Sequence, residues 1–135
     1  MKQLFYMLLI SVLTLSCTDN DETTNIKIIN LSVPKADWIE VTDADKLNRY
    51  YYSSFNVPEI TPWIYNNGVI NAYIVLDAAT QPLPYVRHFE NLDGFKWTRT
   101  VDFEYESGKV RIFVTNDDFI PDLPQAMNFK VSIIW

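Results

Sequence analysis

The stretch from Phe95 to Glu106 constrains the fold more than any other part of this chain. Its odd positions read Phe95, Trp97, Arg99, Val101, Phe103 and Tyr105, and its even positions Lys96, Thr98, Thr100, Asp102, Glu104 and Glu106. Strict period-two alternation marks a strand with one face on a core. Arg99 interrupts the apolar face, which predicts a bend, a bulge or a sheet-edge position there. Ser107-Gly108 follows as a two-residue turn, and Lys109 to Val114 alternates again. So short a loop fixes the register. Glu106 falls opposite Lys109, Tyr105 opposite Val110, Glu104 opposite Arg111, Phe103 opposite Ile112 and Val101 opposite Val114. The charged pairs are opposite in sign and the apolar residues meet on the other face, each pair contributing about 0.2–1 kcal/mol. A slip of one residue would lose both sets.

The rest of the chain supplies partners for this hairpin. Strands are expected at Asn25 to Val33, at Trp38 to Val41, at Arg49 to Val57 and at Val69 to Leu76. Leu83 to Phe89 follows Pro82 and contains Pro84, which predicts a sheet edge. Met127 to Trp135 places Phe129, Val131, Ile133 and Trp135 on one face. Thr61 suits a helix N-cap, Pro62 the first helical position and Gly68 the residue past the end. Seven or eight short strands, one short helix near 62–67 and no βαβ rhythm predict an all-β fold, an antiparallel β-sandwich in a single domain over 26–135. One cysteine allows no disulfide within the chain, so the core must hold by packing. With 48% hydrophobic and 15% aromatic residues it has the material.

That cysteine lies far from the predicted domain. Lys2 precedes an almost wholly apolar run from Leu4 to Leu15, with Thr14 and Ser16 before Cys17. The run has the length of a signal-peptide core and falls short of the ~20 residues a spanning helix needs. Residues 1–16 resemble a bacterial lipoprotein signal, in which the cysteine after the leader is lipidated and becomes the mature N-terminus. The match relaxes the usual pattern, because Thr14 stands where leucine is usual. Ordinary secretion would leave Cys17 an unpaired thiol in an oxidising compartment, whereas acylation caps it and anchors the chain. Residues 17–25 read as an acidic, flexible tether. Within it Asp19, Asp21 and Glu22 are similar to the acidic signal that sends Bacteroidetes lipoproteins to the cell surface.

Seventeen acidic residues against eleven basic give a formal net charge of −6. Such a chain has no electrostatic footprint for nucleic acid and no polybasic patch for anionic lipid, so membrane association is expected through the lipid anchor alone. Chemistry is sparse. His88 is the one histidine and lies in the predicted edge strand, with no Gly-x-Ser-x-Gly elsewhere. Neither a zinc ligand set nor any cofactor is implied. Asn116, Asp117, Asp118 and Asp122 could offer oxygens to calcium, but they lack the spacing and the glycine of a calcium loop and read better as turn residues. Asp102, Glu104 and Glu106 share one strand face, yet two of them meet basic partners across the hairpin. These features point away from an enzyme.

The aromatic residues are the remaining ligand candidates. Trp38, Trp63, Trp97 and the Tyr50-Tyr51-Tyr52 run could stack sugars or could fill a sandwich core. Tyr51 faces opposite to Tyr50 and Tyr52, and the hairpin register puts Phe113 beside Asp102 and Arg111 on the polar face. Tyr51 and Phe113 are therefore the candidate ligand-facing rings.

The segments Tyr50-Tyr51-Tyr52, Phe55-Asn56-Val57-Pro58-Glu59-Ile60-Thr61, Asn67-Gly68-Val69-Ile70, Pro82-Leu83-Pro84-Tyr85, Phe103 to Val110 and Asn128-Phe129-Lys130-Val131 together resemble the C-terminal β-domain of small Bacteroidetes lipoproteins of unknown function. The resemblance covers about Trp38 to Trp135. Many relatives carry a collagen-like Gly-Pro-Gln repeat before this domain, and this chain, with three glycines, lacks it. The resemblance implies a β-sandwich and an envelope or cell-surface address, and it carries no catalytic residues. Two expectations follow: a surface-exposed, non-enzymatic binding module for a glycan or a protein, or a structural lipoprotein acting through a periplasmic partner.

Overall fold

The computed structural model describes residues 23–120 and 122–135. Nine strands form two antiparallel sheets. Strand β1 (Ile26–Val33) leads through a 3-10 turn at Lys35–Asp37 to β2 (Ile39–Thr42) and β3 (Arg49–Asn56). Helix α1 (Pro62–Asn67) precedes β4 (Val69–Val75), β5 (Thr80–Pro82), β6 (Tyr85–Glu90), β7 (Lys96–Glu106), β8 (Lys109–Asn116) and β9 (Met127–Ile134). The four-stranded sheet has the order β1-β9-β4-β5 and the five-stranded sheet β2-β3-β8-β7-β6. This is the expected antiparallel sandwich, with one strand more than the expected seven or eight. The extra strand arises around the prolines, where the chain pairs as β5 before Pro84 and as β6 after it. Both strands lie at sheet edges, where a residue without an N–H is tolerated.

The β7–β8 register is the one the alternation dictates, from Glu106 opposite Lys109 to Val101 opposite Val114. Arg99 opens no bulge in β7. The strand pairs without interruption to β8 and β6, and β6 takes the edge instead. Partners on three sides let the arginine stay on the inward face: Nε donates to Asn116 Oδ1 at 3.0 Å, Nη2 to Asp122 Oδ2 at 2.6 Å, and the guanidinium lies 5.4 Å from the Phe89 ring centroid.

The core lies between the sheets. Val33, Phe129, Val131, Ile133, Ile70, Ala72 and Ile74 from one sheet meet Val101, Val110, Ile112, Val114 and Tyr51 from the other. One end is closed. Thr61 Oγ1 accepts from Ile64 N at 3.2 Å and starts α1, whose Ile64 is buried with Ile60 and Val57. Gly108 N donates to Ile60 O and Val57 N to Gly108 O, both at 2.8 Å, tying the β7–β8 turn to the same end. Lys27 and Glu59 form an ion pair across it at 2.9 Å. At the other end the connection from β8 to β9 buries Pro124, and its Gln125 O accepts from Trp38 Nε1 at 3.1 Å.

Candidate binding site

The positions singled out from sequence are not brought together. Cys17, Asp19, Asp21 and Glu22 lie outside the described residues. Tyr51 is not ligand-facing. It is 8% exposed and packs in the core opposite Val114, with its hydroxyl 3.4 Å from Glu40 Oε2. Burial raises its pKa above the ordinary tyrosine value, and the Glu40 carboxylate adds to the rise. Its parity explains the placement, since Phe55 and Val57 share its face and point into the core. Tyr50 and Tyr52 therefore face outward. There they flank Phe113, at 6.0 and 6.3 Å between ring centroids. Phe113 does lie on the polar face as expected, half-buried in this cross-strand cluster.

Trp38, Trp63 and Trp97 make no common surface. Trp38 is buried, its indole N–H bonded to Gln125 O at 3.1 Å, and Trp63 is exposed on α1 at the closed end. His88 Nδ1 lies 3.0 Å from Thr98 Oγ1 on the outer face of β6, and no carboxylate among the described residues bonds its ring. The acidic run after β8 is held as turn structure. Asp117 accepts from Thr98 N at 2.8 Å, a bond that leads the lowering of its pKa. Asp118 accepts from Ile120 N at 3.0 Å, Asn116 donates to Ile120 O at 3.3 Å, and Asp122 holds Arg99. Among the described residues no group of three His, Cys, Asp or Glu side chains could hold a metal ion. Glu104 and Glu106 both bind Arg111, at 2.6 and 2.8 Å.

What the fold does assemble is a row of aromatic rings at the open end. β6 and β7 join through Asn91–Phe95, where Asn91 Oδ1 accepts from Asp93 N and Phe95 N, and Gly94 supplies the positive φ of 79° that the turn needs. The resulting register sets Phe89 opposite Trp97 and Arg87 opposite Arg99. All four lie on the same face as the buried Val101. Phe89 stacks on Trp97 at 5.4 Å and 14°, and Phe95 on Trp97 at 6.5 Å and 26°. Phe95 remains 48% exposed and Phe89 38%. Apolar rings that continue the core-facing side of a sheet yet stay in solvent are unlike the scattered single hydrophobes of an ordinary surface.

Beside this row is a cleft of about 420 Å³, lined by Phe89, Arg99, Arg87 and Tyr85 from β6 and β7, by Val101 at its floor, and by Ile74 to Asp77 and Gln125 to Asn128 from the other sheet. Its size suits a small ligand or one or two units of a polymer. Tyr85 hydroxyl accepts from Arg87 Nε at 2.6 Å. A second concavity of about 340 Å³ borders Phe95 and Trp97 on the side of Asn116, Ile120 and Asp122. The Asp93-Gly94 turn signal would have located this hairpin register from sequence. What parity could not show is which residues of the inward face stay exposed. The chain matches no protein-family model, and no curated protein or solved structure is significantly similar to it.

Proposed function

We propose that this chain is a non-enzymatic, lipid-anchored binding module of the cell envelope, displayed at the cell surface, and that it seats a glycan at the open end of its sandwich. The observation that carries the reading is the Phe89–Trp97–Phe95 row, a half-buried tryptophan between two exposed phenylalanines, beside a cleft of ligand size. Ring faces carry negative potential and sugar rings present C–H bonds, so stacking binds sugars without a charged partner. The anchor rests on Cys17 at the end of an apolar leader and on the resemblance to small Bacteroidetes lipoproteins.

The path of the chain supports display. β1 begins at Ile26, opposite Ile134, which pairs with Val69 just after α1, and it runs toward Val33, opposite Met127. Met127 lines the cleft. The tether therefore joins at the closed end, and eight residues of β1, at ~3.3 Å each, separate that junction from the binding end. An anchor before Thr23 would attach at the end of the domain far from the cleft, leaving the cleft free to reach outward.

The test is affinity electrophoresis of the full-length protein in detergent through gels containing neutral and acidic polysaccharides. Retardation by at least one polysaccharide, lost in Phe89→Ala and Phe95→Ala proteins of unchanged melting temperature, is the expected result. Free migration through every gel would reject the reading. Cleavage of the bound polysaccharide, abolished by His88→Ala, would overturn its non-enzymatic part. Proteolytic shaving of intact cells tests the address. The natural protein should be digested, and an Asp19, Asp21, Glu22→Ala variant protected.

The alternative, a structural lipoprotein working through an envelope protein, draws on the outer face of the five-stranded sheet. There Ile39, Tyr52 and Phe113 form one cross-strand row. Protection of the natural protein from shaving, with a partner crosslinked at position 113, would favour it.

A further inference from the structure

Arg87 and Arg99 occupy directly opposite positions on β6 and β7 and line the same cleft. Like charges in such a pair destabilise a sheet. In a chain with seventeen acidic residues, three of the four arginines have carboxylate partners: Arg49 with Glu40, Arg99 with Asp122 and Arg111 with Glu104 and Glu106. Arg87 is the fourth, and it has none among the described residues. Its position is nevertheless defined. Nε donates to Tyr85 hydroxyl, and the guanidinium lies 5.4 Å from the centroid of the Tyr85 ring. The Nη groups of Arg87 and Nη1 of Arg99 have no bonding partner among the described residues. Arg99 is held from the opposite side by Asn116 and Asp122, and its side chain is 13% exposed.

We infer that this pair reads an acidic group on the ligand, and that the glycan seated at the open end carries carboxylates, as a uronate polymer does. The inference rests on the glycan-binding reading and specifies its ligand. A guanidinium presents paired donors in a plane that matches a carboxylate, and two held in place by a phenol and an amide need little reordering to bind one. Ile74, Val101 and Met127 give the cleft an apolar side for the sugar ring. Asp77 lines it too, and Asp122 stands behind Arg99. Both disfavour a second acidic group close to the first, which suits a polymer with one carboxylate per sugar better than a densely charged one.

The experiment compares binding of polygalacturonate, alginate and hyaluronate with their carboxyl-reduced forms, using the full-length protein in detergent. Wild-type protein should bind at least one native polymer and at least tenfold less of its reduced form. Arg87→Gln should weaken binding about tenfold, Arg87→Lys should restore part of the loss, and added salt should weaken binding of the wild type. Arg87 is exposed, so melting temperature should hold in both variants. Equal binding of native and reduced polymer, or unchanged binding by Arg87→Gln, overturns the carboxylate inference. If that binding still requires Phe89 and Phe95, the glycan-binding module survives. A protein that binds neither these polymers nor any neutral one fails both readings. Preference for a sulfated polymer over all three uronates also overturns the inference.

Discussion

Tyr51 and Phe113 show how much one residue's parity decides. Both are aromatic and lie on neighbouring strands of one sheet, yet Tyr51 fills the core and Phe113 lies between two outward tyrosines. Tyr51→Ala should cost about 3 kcal/mol or more in denaturant unfolding, as a large cavity opens. Phe113→Ala should cost about 1 kcal/mol, the value of a cross-strand aromatic contact. The raised Tyr51 pKa adds a pH signature. The folded phenol stays protonated where the unfolded one ionises, so stability is full below the ordinary tyrosine range and falls as pH rises through it. Tyr51→Phe should flatten that alkaline decline. Gly68 is constrained by space, since a Cβ there would meet Ile64 O at 2.8 Å and Ile134 O at 2.9 Å. Gly68→Ala should therefore destabilise by about 1–3 kcal/mol, read as a shift in the unfolding midpoint.

At the scale of elements, the β7–β8 hairpin was legible almost completely, because a two-residue turn and two complementary faces leave a single register. The helix was legible from its cap residues. Arg99 was misread because alternation reports only which side a residue faces. The groups that stabilise it, Asn116, Asp122 and Phe89, come from two other segments. The aromatic row escaped for a related reason. Phe95 and Trp97 carry the same pattern as Val101, yet Phe95 is exposed, Trp97 half-buried and Val101 buried, a difference that alternation does not report.

The hairpin's outer face also carries opposed titrations. Lys109 first, with Arg111, holds Glu106 below its ordinary pKa, so its contribution is present above the normal carboxylate range and lost on acidification. Asp102, opposite Phe113, is raised by desolvation and then by Glu104. It favours the folded state at low pH, and that contribution is lost as pH rises through its folded pKa. Asp102→Asn should raise the neutral-pH melting temperature slightly and leave the acid-side value unchanged. The effect is small because the residue as a whole is exposed to solvent.

Taken as a whole molecule, the sandwich is asymmetric from end to end. α1, the β7–β8 turn and the Lys27–Glu59 pair close the end where the chain enters. The opposite end leaves aromatic rings and two arginines around an open cleft. Among the described residues no helix is long and apolar enough to cross a membrane. The most direct test is backbone-amide NMR of the full-length protein in detergent, titrated with short oligomers of the polysaccharide that retards it most. Shifts concentrated in Tyr85–Arg99 and in 125–128 are predicted. Shifts centred on Tyr50, Tyr52 and Phe113, or no shifts at all, would contradict the placement of the binding site at the open end.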